Sequence, residues 1–134
     1  MVEIITQETA EFRRYATREV VWCDFQNAAN TLHPEFQGRH PAIVISSRNK
    51  SNRPLIVVPV TSMEQPDDDT CCFLLGKNYW KTTKKQSWAI CSHLCSVSHL
   101  RLTRPFRYPK KLNQTDYRGV VTAASIRLSV LPDV

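Results

Sequence analysis

Short apolar runs, each bounded by polar or turn-forming residues, recur along this chain. They are rich in Val, Ile and aromatic side chains and cover residues 20–25, 41–47, 54–61, 70–75 and 87–94. Runs of this length and composition between turn signals predict β-strands. Because Pro59 lies inside the third run and has no N–H to donate, we expect that strand to lie at a sheet edge or to carry a bulge.

A different periodicity appears near the end of the chain, where apolar residues recur at helical spacing. These residues are Tyr117, Val120, Val121, Ala124 and Leu128. They predict an amphipathic helix over residues 113–131, with Asn113 or Thr115 at its start. Strands followed by a closing helix predict a mainly β protein with helices (α+β), a barrel-like sheet under helical cover. We expect one domain over residues 1–134, with 1–17 as an N-terminal extension.

Side chains suited to catalysis cluster between Gly38 and Ser62. Arg39 and His40 precede one apolar run, and Thr61 with Ser62 ends the next. If the two runs pair as antiparallel neighbours, the start of one lies beside the end of the other. The pattern therefore predicts a guanidinium, an imidazole and two hydroxyls at one end of a sheet.

The net charge of +6 is unevenly distributed. From Thr70 to Thr115 there is no Asp or Glu, and this stretch holds nine of the 18 Lys and Arg residues. Segregated positive charge is typical of a surface that meets a polyanion, so nucleic acid or an acidic protein is favoured over a merely solvated basic face.

The five cysteines indicate buried thiols rather than a disulfide framework, since their number is odd and Cys71 and Cys72 are adjacent. A zinc site is conceivable from Cys91, His93, Cys95 and His99. Their alternate-residue spacing, however, is that of a strand rather than of paired zinc ligands. We also find no secretion signal and no apolar run long enough to span a bilayer, so a cytoplasmic protein is expected.

Four segments in order resemble the PemK/MazF toxins of bacterial type II toxin–antitoxin systems. They are 20–25, 38–46, 57–62 and 87–97, the last followed by Arg101-Leu102. The resemblance implies a small SH3-like barrel with a C-terminal helix, working as a homodimer and silenced by a cognate antitoxin. It also implies an endoribonuclease that cuts single-stranded RNA and needs no metal or cofactor, because the RNA 2′-hydroxyl is the nucleophile. The implied products carry a 2′,3′-cyclic phosphate and a 5′-hydroxyl.

The chain departs from the family pattern at a position that the resemblance makes catalytic. The usual Arg before the proline of the second strand is His40 here, with Arg39 one residue earlier. The family's Thr after the third strand is matched by Thr61, and Arg18 replaces the usual Gly before the first strand.

Cleavage by internal attack needs a proton acceptor and donors to the phosphate oxygens. Our hypothesis assigns proton exchange to His40, the phosphate to Arg39 and its orientation to Thr61. Adjacent strand residues point to opposite faces, so Arg39 and His40 share the site only if the backbone before Pro41 is a loop. If one of the two faces inward, the resemblance favours His40.

Further residues are candidates for RNA binding, because single strands are bound by aromatic stacking along basic grooves. They are Ser62, Lys77, Tyr79, Trp80, Lys81, Lys84, Lys85 and His93. Trp80 can instead fold onto the core, and His93 can instead be an ordinary strand histidine or a second acid or base. We expect Trp22 and Trp88 to lie in the core.

Two other functions remain open: a toxin of the same fold that poisons a protein such as gyrase, and an RNA-binding module that does not cleave.

Overall fold

A computed structural model describes residues 14–25, 38–46, 53–81 and 86–128. In these ranges, seven strands, two 3₁₀ turns and one α-helix follow one another. The strands are β1 (Val20–Asp24), β2 (Arg39–Val44), β3 (Leu55–Thr61), β4 (Cys72–Leu74), β5 (Trp88–Ile90), β6 (Cys95–Val97) and β7 (Leu102–Thr103). The turns are Cys91–His93 and His99–Arg101, and the helix α1 is Gln114–Leu128. The helix predicted for the C-terminus is thereby confirmed, and the mainly β class with it.

All strand pairs are antiparallel within the described ranges, in the order β4-β5-β3-β2-β1-β7, and β6 also pairs with β3. The central strand β3 therefore has β2 on one side and both β5 and β6 on the other. Pro59 is consequently not on an edge strand, which corrects one of the two positions predicted for it.

The ladder is instead interrupted beside Pro59. Along β3, Leu55 to Val57 pair with β6, whereas Val60 and Thr61 pair with β5. Ile45 N donates to Ile56 O at 3.0 Å, so the even-numbered residues of β3 direct their backbone groups toward β2. The missing N–H of Pro59 therefore faces the other side, where the chain leaves the sheet in the turn Cys91–His93.

Two apolar clusters cover the two faces of the sheet. One contains Ile43, Val58 and Val60 together with Val120 and Ala124 of α1. The other contains Ala42, Val44, Leu55 and Val57 with Tyr15 and Leu102. Alternation along each strand explains the division, because neighbouring residues point to opposite faces. We call these the helix face and the far face.

The helix starts and packs through a polar network. Asn113 Oδ1 accepts from Asp116 N at 2.7 Å, which confirms the predicted N-cap. The buried Asp116 carboxylate accepts from Tyr79 Oη at 2.7 Å and Gly76 N at 2.9 Å. This network turns the buried stripe toward Asp116, Val120, Ala123 and Ala124, so Val121 is exposed rather than buried as predicted. No helix of the described ranges has both the length and the apolar character needed to cross a membrane.

A buried carboxylate joins the start of β1 to the segment after β7. Glu19 is 1% exposed, and its Oε2 lies 2.6 Å from Nε of Arg104. Glu19 Oε1 also accepts from Ala16 N at 3.0 Å, and the Arg104 guanidinium lies 4.6 Å from the Tyr15 ring centroid. The pair therefore holds three segments together: the chain before β1, β1 itself and the chain after β7.

We predict that Arg104→Gln lowers the free energy of unfolding by about 3 kcal/mol, since it leaves the Glu19 carboxylate buried without its cation. Urea unfolding at pH 7 measures the change. Arg107→Gln, which removes an exposed guanidinium three residues later, should change stability by less than about 0.5 kcal/mol. Equal losses in the two variants would show that the Glu19 pair contributes nothing special.

The buried thiol of Cys91 should also make the stability of the fold depend on pH. Burial raises the pKa of Cys91 from 9.0 to about 12. Between these values the unfolded chain loses this proton while the folded chain keeps it, so stability must fall as the pH rises from 9 to 12. In Cys91→Ala that fall should be shallower by up to about 1.4 kcal/mol per pH unit. Urea unfolding from pH 7 to 11 tests this, with Ser96→Ala as the control, and parallel curves for the wild type and Cys91→Ala would contradict it.

Candidate active site

The β2–β3 ladder ends early because of Pro41. The paired residues are Ala42 with Pro59, Ile43 with Val58 and Val44 with Val57. The odd-numbered residues of β2 direct their backbone N–H and C=O groups toward β3, as the hydrogen bond from Ile45 N to Ile56 O shows. Pro41 therefore has no N–H to offer to Val60, and the ladder ends there, while the other side of β3 pairs with β5 at Val60 and Thr61. Continuing the register beyond this last pair places His40 opposite Thr61.

His40 and Thr61 share the far face of the sheet. His40 is two residues from Ala42, and Thr61 is four residues from Val57, both members of the far-face cluster. Both side chains are half-buried. The structure thus brings an imidazole and a hydroxyl to one end and one face of a rigid sheet.

Aromatic rings flank this pair. The Phe25 and His40 ring centroids lie 6.4 Å apart with a 52° tilt. On the other side, Trp88 is the register partner of Thr61, so it lies beside the hydroxyl on the same face. Trp88 is half-buried rather than fully in the core. Sequence reasoning missed it, because the strand pattern alone does not show that β5 ends next to Thr61.

The Thr61 hydroxyl is held by its own turn. Its Oγ1 accepts from Met63 N at 3.1 Å, which fixes the side-chain rotamer at the strand end. A hydroxyl that accepts one bond can still donate its proton. Ser62 follows Thr61 directly and is exposed.

Arg39 lies on the opposite face. Strand β2 begins at Arg39, so the loop geometry that would let Arg39 and His40 face the same way is absent. The Arg39 guanidinium lies 5.2 Å from the Trp22 ring centroid, and its Nη2 donates to Thr103 Oγ1 at 3.2 Å. This corrects the grouping of Arg39 with His40 at one phosphate. Trp22, predicted as core, is half-buried beneath this guanidinium.

Tyr79 and Trp80 are not available for base stacking, which corrects that prediction. They are 3% and 5% exposed and belong to the helix-face cluster. Trp80 Nε1 donates to Val21 O at 2.9 Å, so the indole fastens its loop to β1. Burial raises the pKa of Tyr79 to about 12, and its hydroxyl stays protonated to serve Asp116.

The remaining RNA-binding candidates are dispersed. Lys77 and Lys81 are exposed, and Lys81 Nζ lies 5.5 Å from the Phe106 ring centroid. His93 Nδ1 lies 3.1 Å from Ser92 Oγ in the turn Cys91–His93, which packs against α1 and so belongs to the helix side of the sheet. Lys84 and Lys85 lie outside the described residues.

A second group of aromatic and basic residues was not singled out from the sequence. It lies between β7 and α1 and comprises Phe106, Arg107, Tyr108 and Lys110, around which Lys81 also gathers. The sequence could have indicated this group, because aromatic and basic residues lie close together in 104–111.

The described side chains form no metal site, and the groove found among them lies away from His40. Across the described ranges, no three His, Cys, Asp or Glu side chains come together to hold a metal ion. A shallow groove of about 410 Å³ lies between β4 and α1, lined in part by Cys72, Phe73 and Arg118. It is on the side of the sheet that α1 covers, so His40 and Thr61 do not line it.

Comparison with known proteins agrees with this fold. The family described as PemK-like, MazF-like toxin of type II toxin–antitoxin system matches residues 16–126. A comparison with curated protein sequences gave no significant match.

Among solved structures, MazF from Deinococcus radiodurans has a TM-score of 0.67 at 17% identity, covering 89% of this chain and 100% of that one. An endoribonuclease in complex with its cognate antitoxin, from a mycobacterial species, has a TM-score of 0.64 at 12% identity, with coverages of 89% and 99%. At these identities the likeness concerns the fold alone.

Proposed function

Because the chain belongs to the PemK/MazF family of toxins of type II toxin–antitoxin systems, we propose that it is an endoribonuclease that cuts single-stranded RNA without a metal ion. The observation that carries this proposal is the placement of His40 and Thr61 on the same face, just beyond the last β2–β3 pair. Two structural neighbours from mycobacterial species that are endoribonucleases support it.

In the proposed reaction the neutral His40 imidazole accepts the proton of the RNA 2′-hydroxyl. The 2′-oxygen then attacks phosphorus, and the bond to the 5′-oxygen breaks while that oxygen takes a proton from solvent. Imidazole suits this role because it exchanges a proton near neutral pH, which contributes about 10²–10⁴-fold in rate. The products carry a 2′,3′-cyclic phosphate and a 5′-hydroxyl.

Thr61 supplies a donor to a non-bridging phosphate oxygen. Its rotamer is fixed by Met63 N, so donation requires no ordering at the moment of reaction. Phe25 and Trp88 flank the two reacting side chains and offer ring surfaces on which the adjacent bases can stack. His40 thus takes the position of the family's usual Arg with a group that can move the proton itself.

The proposal extends to partners. The stretch from Thr70 to Thr115 carries no carboxylate in its sequence, so it suits an acidic antitoxin segment that folds on contact. A neighbouring structure was solved with its cognate antitoxin. A homodimer acting in the cytoplasm completes the proposed setting and follows from the family resemblance.

We predict that the purified protein cuts single-stranded RNA in the presence of excess EDTA. The fragments should have 5′-hydroxyl ends that polynucleotide kinase labels without prior phosphatase treatment. RNA that stays intact but binds would indicate a non-cleaving module. RNA that neither binds nor breaks would indicate a toxin directed at a protein such as gyrase.

For the mechanism, we predict that His40→Ala lowers kcat by about 10²–10⁴-fold, because the proton acceptor is lost. Added imidazole should restore part of the rate. Urea unfolding and binding of a non-cleavable 2′-O-methyl RNA serve as controls and should stay close to wild type. Undiminished cleavage by His40→Ala would remove this residue from the chemistry.

A further inference from the structure

The segment between β7 and α1 presents cations against aromatic rings. Lys110 Nζ lies 4.9 Å and Lys81 Nζ 5.5 Å from the Phe106 ring centroid. The Arg107 guanidinium lies 5.7 Å from the ring centroid of Tyr108. We call these five residues the Phe106 patch.

Much of the patch is exposed to solvent, and among the described residues no carboxylate forms an ion pair with its cations. Tyr108 is 69% exposed, and Lys81 and Arg107 are exposed as well. Within the described residues, Arg104 of this segment forms an ion pair with Glu19, and Arg104 lies outside the patch. Lys81, Arg107 and Lys110 contact rings instead.

Arg39 lies between the patch and the end of the sheet that carries His40. Thr103, which accepts from Arg39, is the register partner of Trp22 and precedes Phe106 by three residues. At the other end of the segment, Lys110 O accepts from Val20 N at 2.8 Å. Both ends of the segment therefore lie beside β1, two strands from β2, which corresponds to about 10 Å.

We propose that the Phe106 patch and Arg39 together bind the single-stranded RNA that flanks the bond cut at His40. This inference rests on the proposed function only for the identity of the strand that is cut. The exposed Tyr108 ring beside cations suits a single strand, because bases stack on aromatic faces while phosphates meet the charges. An acidic protein segment would use the charges alone and leave the Tyr108 ring without a role.

Arg39 is placed to hold a phosphate next to the one that is cut. On the face opposite His40, the guanidinium cannot share the scissile phosphate, but it can hold a neighbouring one bidentately. Its contacts with Trp22 and Thr103 keep it extended across β1 toward β7, three residues before Phe106.

The test measures binding of 2′-O-methyl RNA, which cannot be cleaved, by fluorescence anisotropy at several salt concentrations. A 12-mer is compared with a 4-mer. The variants are Tyr108→Ala and the double variant Lys81→Gln/Lys110→Gln. The matched control is Arg53→Gln/Arg118→Gln, which removes two exposed charges elsewhere, one at the opposite end of β3 from Thr61 and one on α1.

Tyr108→Ala should weaken 12-mer binding by about 5- to 150-fold, the loss expected for one stacked base. The double lysine variant should reduce the slope of log affinity against log salt by about 1.4. The control should do neither, and 4-mer binding should change little in any variant. Polyglutamate, which has charge but no bases, should compete poorly for the wild type.

Equal behaviour of the patch variants and the control would overturn the inference. Strong competition by polyglutamate, with Tyr108→Ala unaffected, would overturn it in favour of an acidic protein partner. A failure of the proposed function gives a different result. The wild type would then leave all RNA uncut, while the patch variants would still lose affinity for the 12-mer.

Discussion

The structure depends on the pairing of β2 with β3 and on Pro41, which ends it. Pro41 lacks the N–H that would bond Val60 across this pair, so the pairing stops at Ala42. Pro59 lacks its N–H on the other side of β3, where the partner strand changes from β6 to β5. Beyond Ala42, the end of β2 is left with His40 next to an open position. A continuous ladder would have closed this end of the sheet with backbone bonds.

The two faces of the sheet have different roles: one carries the candidate site, and the other anchors α1 and the loop of Tyr79. On the far face, His40 and Thr61 lie between Phe25 and Trp88. On the helix face, Asp116 fastens α1 to the loop of Tyr79, and Trp80 fastens the same loop to β1. The loop that carries so many of the chain's lysines is thus anchored by its aromatic residues. The Tyr79 and Trp80 rings hold this loop in place and are themselves buried, whereas the exposed Tyr108 ring belongs to the segment after β7.

The buried Glu19–Arg104 pair has a consequence for that segment. It fixes Arg104 at the end of β7, directly before the chain forms the Phe106 patch. Arg104 is neutralised by the buried Glu19, whereas the neighbouring Lys81, Arg107 and Lys110 form no ion pair among the described residues. This contrast explains why net charge alone says little about binding, since only charges left without carboxylates attract a polyanion.

The sequence by itself determined the first four strands, the C-terminal helix with Asn113 or Thr115 at its start, and the reactive groups at the start of one apolar run and the end of the next. These follow from local periodicity and residue type, and the order of four segments gave the resemblance to the family. The run 87–94 was predicted as one strand, but the turn Cys91–His93 ends β5 at Ile90. Only the tertiary structure decided which groups meet. It separated Arg39 from His40 because β2 begins at Arg39 and adjacent strand residues face apart. It placed Trp88 beside Thr61 because β5, distant in sequence, pairs with the end of β3. It buried Tyr79 and Trp80 because their polar atoms found partners in Asp116 and Val21, and no local pattern records those contacts.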